Sequence, residues 1–178
     1  EAGFLALEPA FAQALRGFCD AHGILIIIDE IQSGFGRTGQ RFAFPRLGIE
    51  PDLLLLGKSI AGGVPLGAVV GRRELMASLP KGGLGGTYSG NPIACAAALA
   101  SLAQMTDANL ATWGERHEQA IVGRYQRWKA SGLYPSLGRL TGVGAMRGIE
   151  LVNADGTPAP AQLAKLLQAA RSTGWLLM

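Results

Sequence analysis

Three short apolar runs constrain this chain more than any other feature: "ILIIID" (Ile24 to Asp29), "DLLLLG" (Asp52 to Gly57) and "LGAVVG" (Leu66 to Gly71). None alternates apolar with polar. A strand with one wet face reads with period two; a run apolar at every position has both faces buried. The pattern therefore predicts strands of a parallel sheet covered by helices. The longest run, Ile24 to Ile28, is far short of the roughly 20 residues that span a bilayer. Hydrophobic residues make up 48% of the 178 and charged residues 16%, enough apolar matter for a sizeable core. The net charge of +3 is scattered, with no Lys/Arg run and no basic stripe with aromatics, which argues against nucleic acid as a partner. No signal peptide is expected from the opening residues. Cys19 and Cys95 lie far apart with no metal-ligand spacing, so free core thiols in a reducing cytoplasm are expected and no metal site is.

Helix signals fall between the runs. Pro9 to His22 places Phe11, Leu15 and Phe18 on one face, with Pro9 at a first-turn position and Gly23 as the stop. His22 there complements the helix C-terminus. Asn91-Pro92 is a second start, Asn91 as cap, for a helix through "IACAAALASLAQM" whose small side chains permit close packing. From Asp107 the character changes. A charged amphipathic helix precedes a strand in "GAMRGIELV" and a helix in "PAQLAKLLQAARSTG". The expected organisation is residues 1–106 as part of a large α/β domain and 107–178 as part of a smaller α+β domain. Glu1 opens in what reads as a loop and "GWLLM" closes in what reads as a strand, so an internal segment of a longer protein is expected.

In an open α/β sheet, ligands sit at the carboxyl ends of the strands. The polar residues at those ends are Asp29-Glu30 and Lys58-Ser59. Ten of the 26 glycines lie between Gly57 and Gly90, where backbone must turn sharply or approach something closely. Gly57-Lys58-Ser59 matches the end of the phosphate-loop pattern G-x-x-x-x-G-K-[ST], but Asp52 occupies the first glycine position and Leu53 to Leu56 are strand residues that cannot wrap phosphates. Two readings of Lys58 remain: a solvated surface charge, or an amine in a dry pocket whose ammonium is disfavoured by burial, suited to attack on a carbonyl.

The neighbouring motifs bear on that choice. "IIIDEIQSGFGRTG", then "DLLLLGKSIAGGVPLGAVVG", then "GGLGGTYSGNPIACAAALA" together resemble the class III (ω-type) pyridoxal-phosphate aminotransferases, in pattern nearest to the 4-aminobutyrate aminotransferase branch. The resemblance covers most of the chain. It implies fold type I of the pyridoxal-phosphate-dependent transferases, with the second half of the large parallel-sheet domain and the start of the small one.

The resemblance also implies roles. Lys58 would carry the cofactor aldehyde as a Schiff base and move the proton between substrate and cofactor. Asp29 would pair with the protonated pyridine nitrogen and keep the ring an electron sink. Gln32 would hydrogen-bond the phenolic oxygen. Ile31, where the family commonly has valine, would pack on the ring. Thr87 in "GGTYSG" would bind the phosphate of the cofactor in a neighbouring subunit, which implies a homodimer with shared active sites. Glu1 in "EAGF" would gate the substrate pocket. Read from the residues alone, Arg37 is expected to anchor its loop and His117 to lie on a solvated helix face. An amino-acid donor such as 4-aminobutyrate and a 2-oxo acid acceptor such as 2-oxoglutarate are implied; ornithine-type or diamine transamination, an aminomutase, or an incomplete, inactive segment are the alternatives.

Overall fold

The computed structural model describes residues 3–177. Ten helices and strands follow in order: α1 (Pro9–His22), β1 (Ile27–Asp29), β2 (Leu53–Leu56), β3 (Ala68–Gly71), α2 (Arg73–Ala77), α3 (Pro92–Gln104), α4 (Asp107–Ser131), β4 (Leu137–Val143), β5 (Met146–Leu151) and α5 (Pro160–Ser172). Short 3-10 turns at Phe44–Leu47 and Lys58–Ala61 complete the regular structure.

Helix ends fall where local chemistry sets them. Gly23 ends α1 in the left-handed conformation, and its N–H caps the carbonyls of Asp20 and Cys19. His22 Nδ1 lies 2.8 Å from the Phe18 carbonyl and its ring stacks on Phe18 at 4.1 Å, so it serves the helix terminus as expected. Asn91 Oδ1 accepts from the Ile93 and Ala94 amides at 2.9 and 3.4 Å and caps α3. Thr106 Oγ1 accepts from the Asn109 amide and caps α4.

The three apolar runs do form one sheet, in the order β1-β2-β3, but it is mixed. β1 pairs parallel to β2, with Asp29 opposite Leu55; β3 pairs antiparallel to β2, with Val69 opposite Leu55. The expectation of three parallel strands is corrected here. A parallel return needs a crossover of a dozen or more residues, usually through a helix. The β2–β3 connection holds one 3-10 turn and a glycine turn at Gly62, so the chain doubles back instead. The burial is also less symmetrical than continuous runs predict. Leu54 and Leu56 are buried, whereas Ile27, Val69 and Val70 are about half exposed, at 55%, 47% and 53%. The final "GWLLM" is not a strand over its described residues: 175–177 carry no regular structure and Trp175 is exposed. β4, with the sequence "LGRLTGV", was not anticipated; it pairs antiparallel with β5.

The core joins Phe35, Leu54, Leu56, Ile60, Ala61 and Ala98. The small residues of α3 act as expected: Ala94 and Ala98 are buried as the helix closes on the Lys58–Ala61 turn. Cys19 is buried and Cys95 half-buried, both as free thiols. Among the described residues no helix is long and apolar enough to cross a membrane.

α4 and the β4–β5 hairpin pack on the loop that follows β1. The Ala145 amide donates to the Arg37 carbonyl at 2.9 Å, so Arg37 anchors its loop through the backbone while its side chain is exposed. Gly114 is buried on α4, and a Cβ there would lie 2.4 Å from Gly39 Cα. Backbone cannot yield as a side chain does, so Gly114→Ala forces the helix off the loop. A loss of about 1–3 kcal/mol is expected despite the better helix propensity of alanine; the urea midpoint of the full-length protein measures it, and an unchanged midpoint contradicts the contact.

Candidate active site

Two strand ends and two turns build the site. β1 ends at Asp29, and the Glu30 amide continues its ladder by donating to the Leu55 carbonyl at 2.9 Å. β2 ends at Leu56; Gly57 and Lys58 follow directly. Asp29 and Lys58 therefore leave adjacent strands, about 4.8 Å apart, at one edge of the sheet. Gly57 is buried against the Ile31 side chain, where a Cβ would lie 3.3 Å from Ile31 Cγ2. That absence of a side chain lets the lysine turn sit down on the loop after β1.

Lys58 adopts φ +45°, in the left-handed region, which costs a non-glycine residue about 1–2 kcal/mol. The turn so formed directs its Nζ to Gln32, whose Oε1 accepts from it. Two of the residues singled out by sequence, 26 positions apart, are thus brought into contact. The dry pocket expected around Lys58 is not observed: its side chain is exposed in this chain. Leu54 and Leu56 before it are buried, but the left-handed turn carries the lysine out over the sheet edge. Asp29 is exposed as well, and its Oδ1 accepts from the Ile31 amide at 2.8 Å, an Asx turn that opens the loop. The apolar run before Asp29 thus does not bury the carboxylate that follows it.

The loop is held by residues that sequence reasoning passed over. Glu30 is only 1% exposed. Its Oε1 accepts from the Ala43 and Phe44 amides, each at 2.7 Å, and its Oε2 from Ser33 Oγ at 2.5 Å. One buried carboxylate therefore ties the start of the loop to its end; burial is affordable because three donors replace water. Ser59, beside Lys58, accepts from the Phe35 amide and donates to the Gly34 carbonyl, both at 3.2 Å. The acid after Asp29 and the hydroxyl after Lys58 were the only signals for these roles.

Thr87 is not part of the Lys58–Gln32 cluster. It lies on a stretch, residues 77–93, that is exposed throughout. Glu1 lies outside the described residues. Among the described residues no group of three or more His, Cys, Asp and Glu is placed to hold a metal ion.

A primary amine, a carboxylate, a neutral amide and an apolar side chain at the edge of an α/β sheet are the groups that a pyridoxal-phosphate-dependent enzyme of fold type I presents to its cofactor, and solved structures of the same fold include aminotransferases of that kind. The Aminotransferase class-III family matches residues 1–178, and the chain belongs to that family. It is 85% identical over its whole length to 2-aminoadipate transaminase of Pseudomonas putida, of which it covers 43%. It is 44% identical to the 4-aminobutyrate aminotransferase GabT of Escherichia coli, covering 42% of that protein. Among solved structures, ornithine aminotransferase of Toxoplasma gondii superposes with TM-score 0.80 at 32% identity, over 95% of this chain and 39% of that one. Taurine:2-oxoglutarate aminotransferase of Bifidobacterium kashiwanohense, solved in complex with pyridoxal phosphate and glutamate, superposes with TM-score 0.78 at 25% identity, over 93% of this chain. The chain spans about two fifths of the length of the relatives it matches. Class III aminotransferases depend on pyridoxal phosphate.

Proposed function

We propose that the full-length protein is a pyridoxal-phosphate-dependent transaminase that moves the amino group of 2-aminoadipate to a 2-oxo acid such as 2-oxoglutarate. The Lys58–Gln32 contact beside Asp29 carries the reaction class: it gathers an amine and two polar partners at one sheet edge. The bound cofactor supplies an electron sink for the amino-acid carbon. The chain's own groups supply the rest. Lys58 Nζ would be the amine that holds the cofactor's aldehyde carbon, and would supply the base that takes and returns the proton at the reacting carbon. Asp29, an exposed carboxylate at the same edge, suits a protonated pyridine nitrogen. The Gln32 amide suits the phenolic oxygen, and Ile31, seated against Gly57, suits a ring face.

Within this chain, only Thr87 is offered to the phosphate. Its place on an exposed stretch fits a threonine that serves a second subunit, so the working unit is a homodimer. Glu1 remains the proposed gate to the substrate pocket. The isolated 178 residues bind cofactor weakly on this reading, because the rest of the cofactor cage lies elsewhere.

The identity of 85% with a 2-aminoadipate transaminase favours that donor. A second reading, an ω-amino acid such as 4-aminobutyrate, draws on the 44% identity with GabT and on the sequence motifs. The full-length protein supplied with 2-oxoglutarate and each donor in turn separates the two. Glutamate formed faster from 2-aminoadipate is the expected result; faster formation from 4-aminobutyrate selects the second reading, and glutamate from neither overturns both.

A further inference from the structure

We infer that the Ser59 hydroxyl is a positioning residue that sets the Lys58–Gln32 contact. The inference rests on the proposed role of Lys58 and deepens it. Lys58 and Gln32 belong to different segments, the turn after β2 and the loop after β1. A long, exposed lysine side chain and a half-buried loop glutamine do not hold each other in place: fixing two flexible side chains costs about as much as one contact returns. Something stiffer must register the two backbones.

Ser59 does so from next to the lysine. Its Oγ accepts from the Phe35 N–H and donates to the Gly34 carbonyl, both at 3.2 Å. Both bonds land two and three residues beyond Gln32. The hydroxyl is short, half-buried, and carries only one rotatable bond, so it holds backbone to backbone with little slack. Each side of the joint is itself fixed. Glu30 closes the loop through the Ser33, Ala43 and Phe44 donors. Ile60 and Ala61 of the lysine turn are buried in the core with Phe35. Removing the Ser59 hydroxyl therefore frees the loop to slide over the turn while leaving the core and the Glu30 tie in place. The Gln32 amide then no longer sits at a fixed place relative to Lys58 Nζ.

The test uses full-length holoenzyme and reads the pH midpoint of the visible absorption change of the bound cofactor without substrate, together with borohydride trapping at Lys58. Ser59→Ala is expected to keep stoichiometric trapping but to move the midpoint by about half to one pH unit, the amount one neutral hydrogen bond carries. Ser59→Thr retains the hydroxyl and is expected to restore the midpoint. In a Gln32→Leu background, Ser59→Ala is expected to add no further displacement, since the partner it positions is gone. A Ser59→Ala midpoint equal to that of the unsubstituted enzyme, or an equal displacement in the Gln32→Leu background, overturns the inference while Lys58 stands. Should Ser59→Ala fail to fold, a Ser59→Thr midpoint displaced from the unsubstituted one overturns it. Absence of trapping at Lys58 in the unsubstituted protein overturns the role of Lys58 and this inference together.

Discussion

Lys58→Ala in the full-length protein is expected to lower transamination by at least about 10²–10⁴-fold, the range removed with a positioned proton-transfer group alone. The geometry makes the reason specific. The amine is delivered by a strand anchored through the buried Leu54 and Leu56, turned outward at a left-handed residue, and met by Gln32. No neighbouring side chain at that edge can replace a primary amine: Asp29 is a carboxylate and Gln32 an amide. Lys58→Arg is expected to be as inactive, because a guanidinium stays protonated and cannot act as base or nucleophile. Turnover in both variants, with peptide mapping of the borohydride-reduced protein, decides the matter. Retention of more than about a tenth of the activity in Lys58→Ala would leave the proton transfer unexplained by this residue.

Asp52→Ala is the second large effect, and it acts on stability. Asp52 is 1% exposed and stands at the far end of β2 from Lys58. It accepts from the Ile26 amide at 2.6 Å, from Arg16 Nη1 at 2.8 Å and from Arg72 Nη2 at 2.7 Å. One carboxylate thus joins α1, the approach to β1 and the exit from β3. Removing it takes the Asp52 partner from the mostly buried Arg16, whose side chain is 14% exposed and keeps Asp20 at 2.6 Å and the Ile24 carbonyl at 3.3 Å, and leaves the Ile26 amide without its acceptor. Breaking a buried pair from one side costs about 3–5 kcal/mol; the half-exposed Arg72, and the Asp20 that Arg16 keeps, place this one at the lower end, about 3 kcal/mol. Denaturant unfolding of the full-length protein measures the loss.

The same network gives an acid limb of stability. The Ile26 amide first, and the Arg16 guanidinium next, hold the Asp52 carboxyl below its ordinary value of 3.8. A carboxyl depressed on folding stabilises fully above that ordinary value and loses its contribution as pH falls through the folded one. Unfolding on acidification below about pH 4 should therefore be less steep in Asp52→Asn, which keeps an acceptor for Ile26 but no charge.

Much of this protein was legible one segment at a time. The bounds of α1 followed from Pro9 and Gly23, the start of α3 from Asn91-Pro92, and the position of Lys58 from the leucine run before it. What failed were inferences that treated a run as if it carried its surroundings with it. Four leucines said that β2 is covered, and Leu54 and Leu56 are; they did not say that the lysine after them would be, and it turns outward. Three apolar runs said sheet, and a sheet forms; the direction of β3 was set by the short path of the connection.

The sequence by itself determined the first helix and strands, the family and the residues that meet at the sheet edge, because each is written in neighbouring side chains: propensity, caps, and motifs of fixed spacing. Only the tertiary structure decided the antiparallel return of β3, the burial of Glu30 and Asp52, and the Ser59 joint between the Lys58 turn and the Gln32 loop. Each of these joins residues 12 to 36 positions apart. A hydrogen bond across such a distance depends on where two stretches of backbone come to rest, and a local pattern contains no record of that.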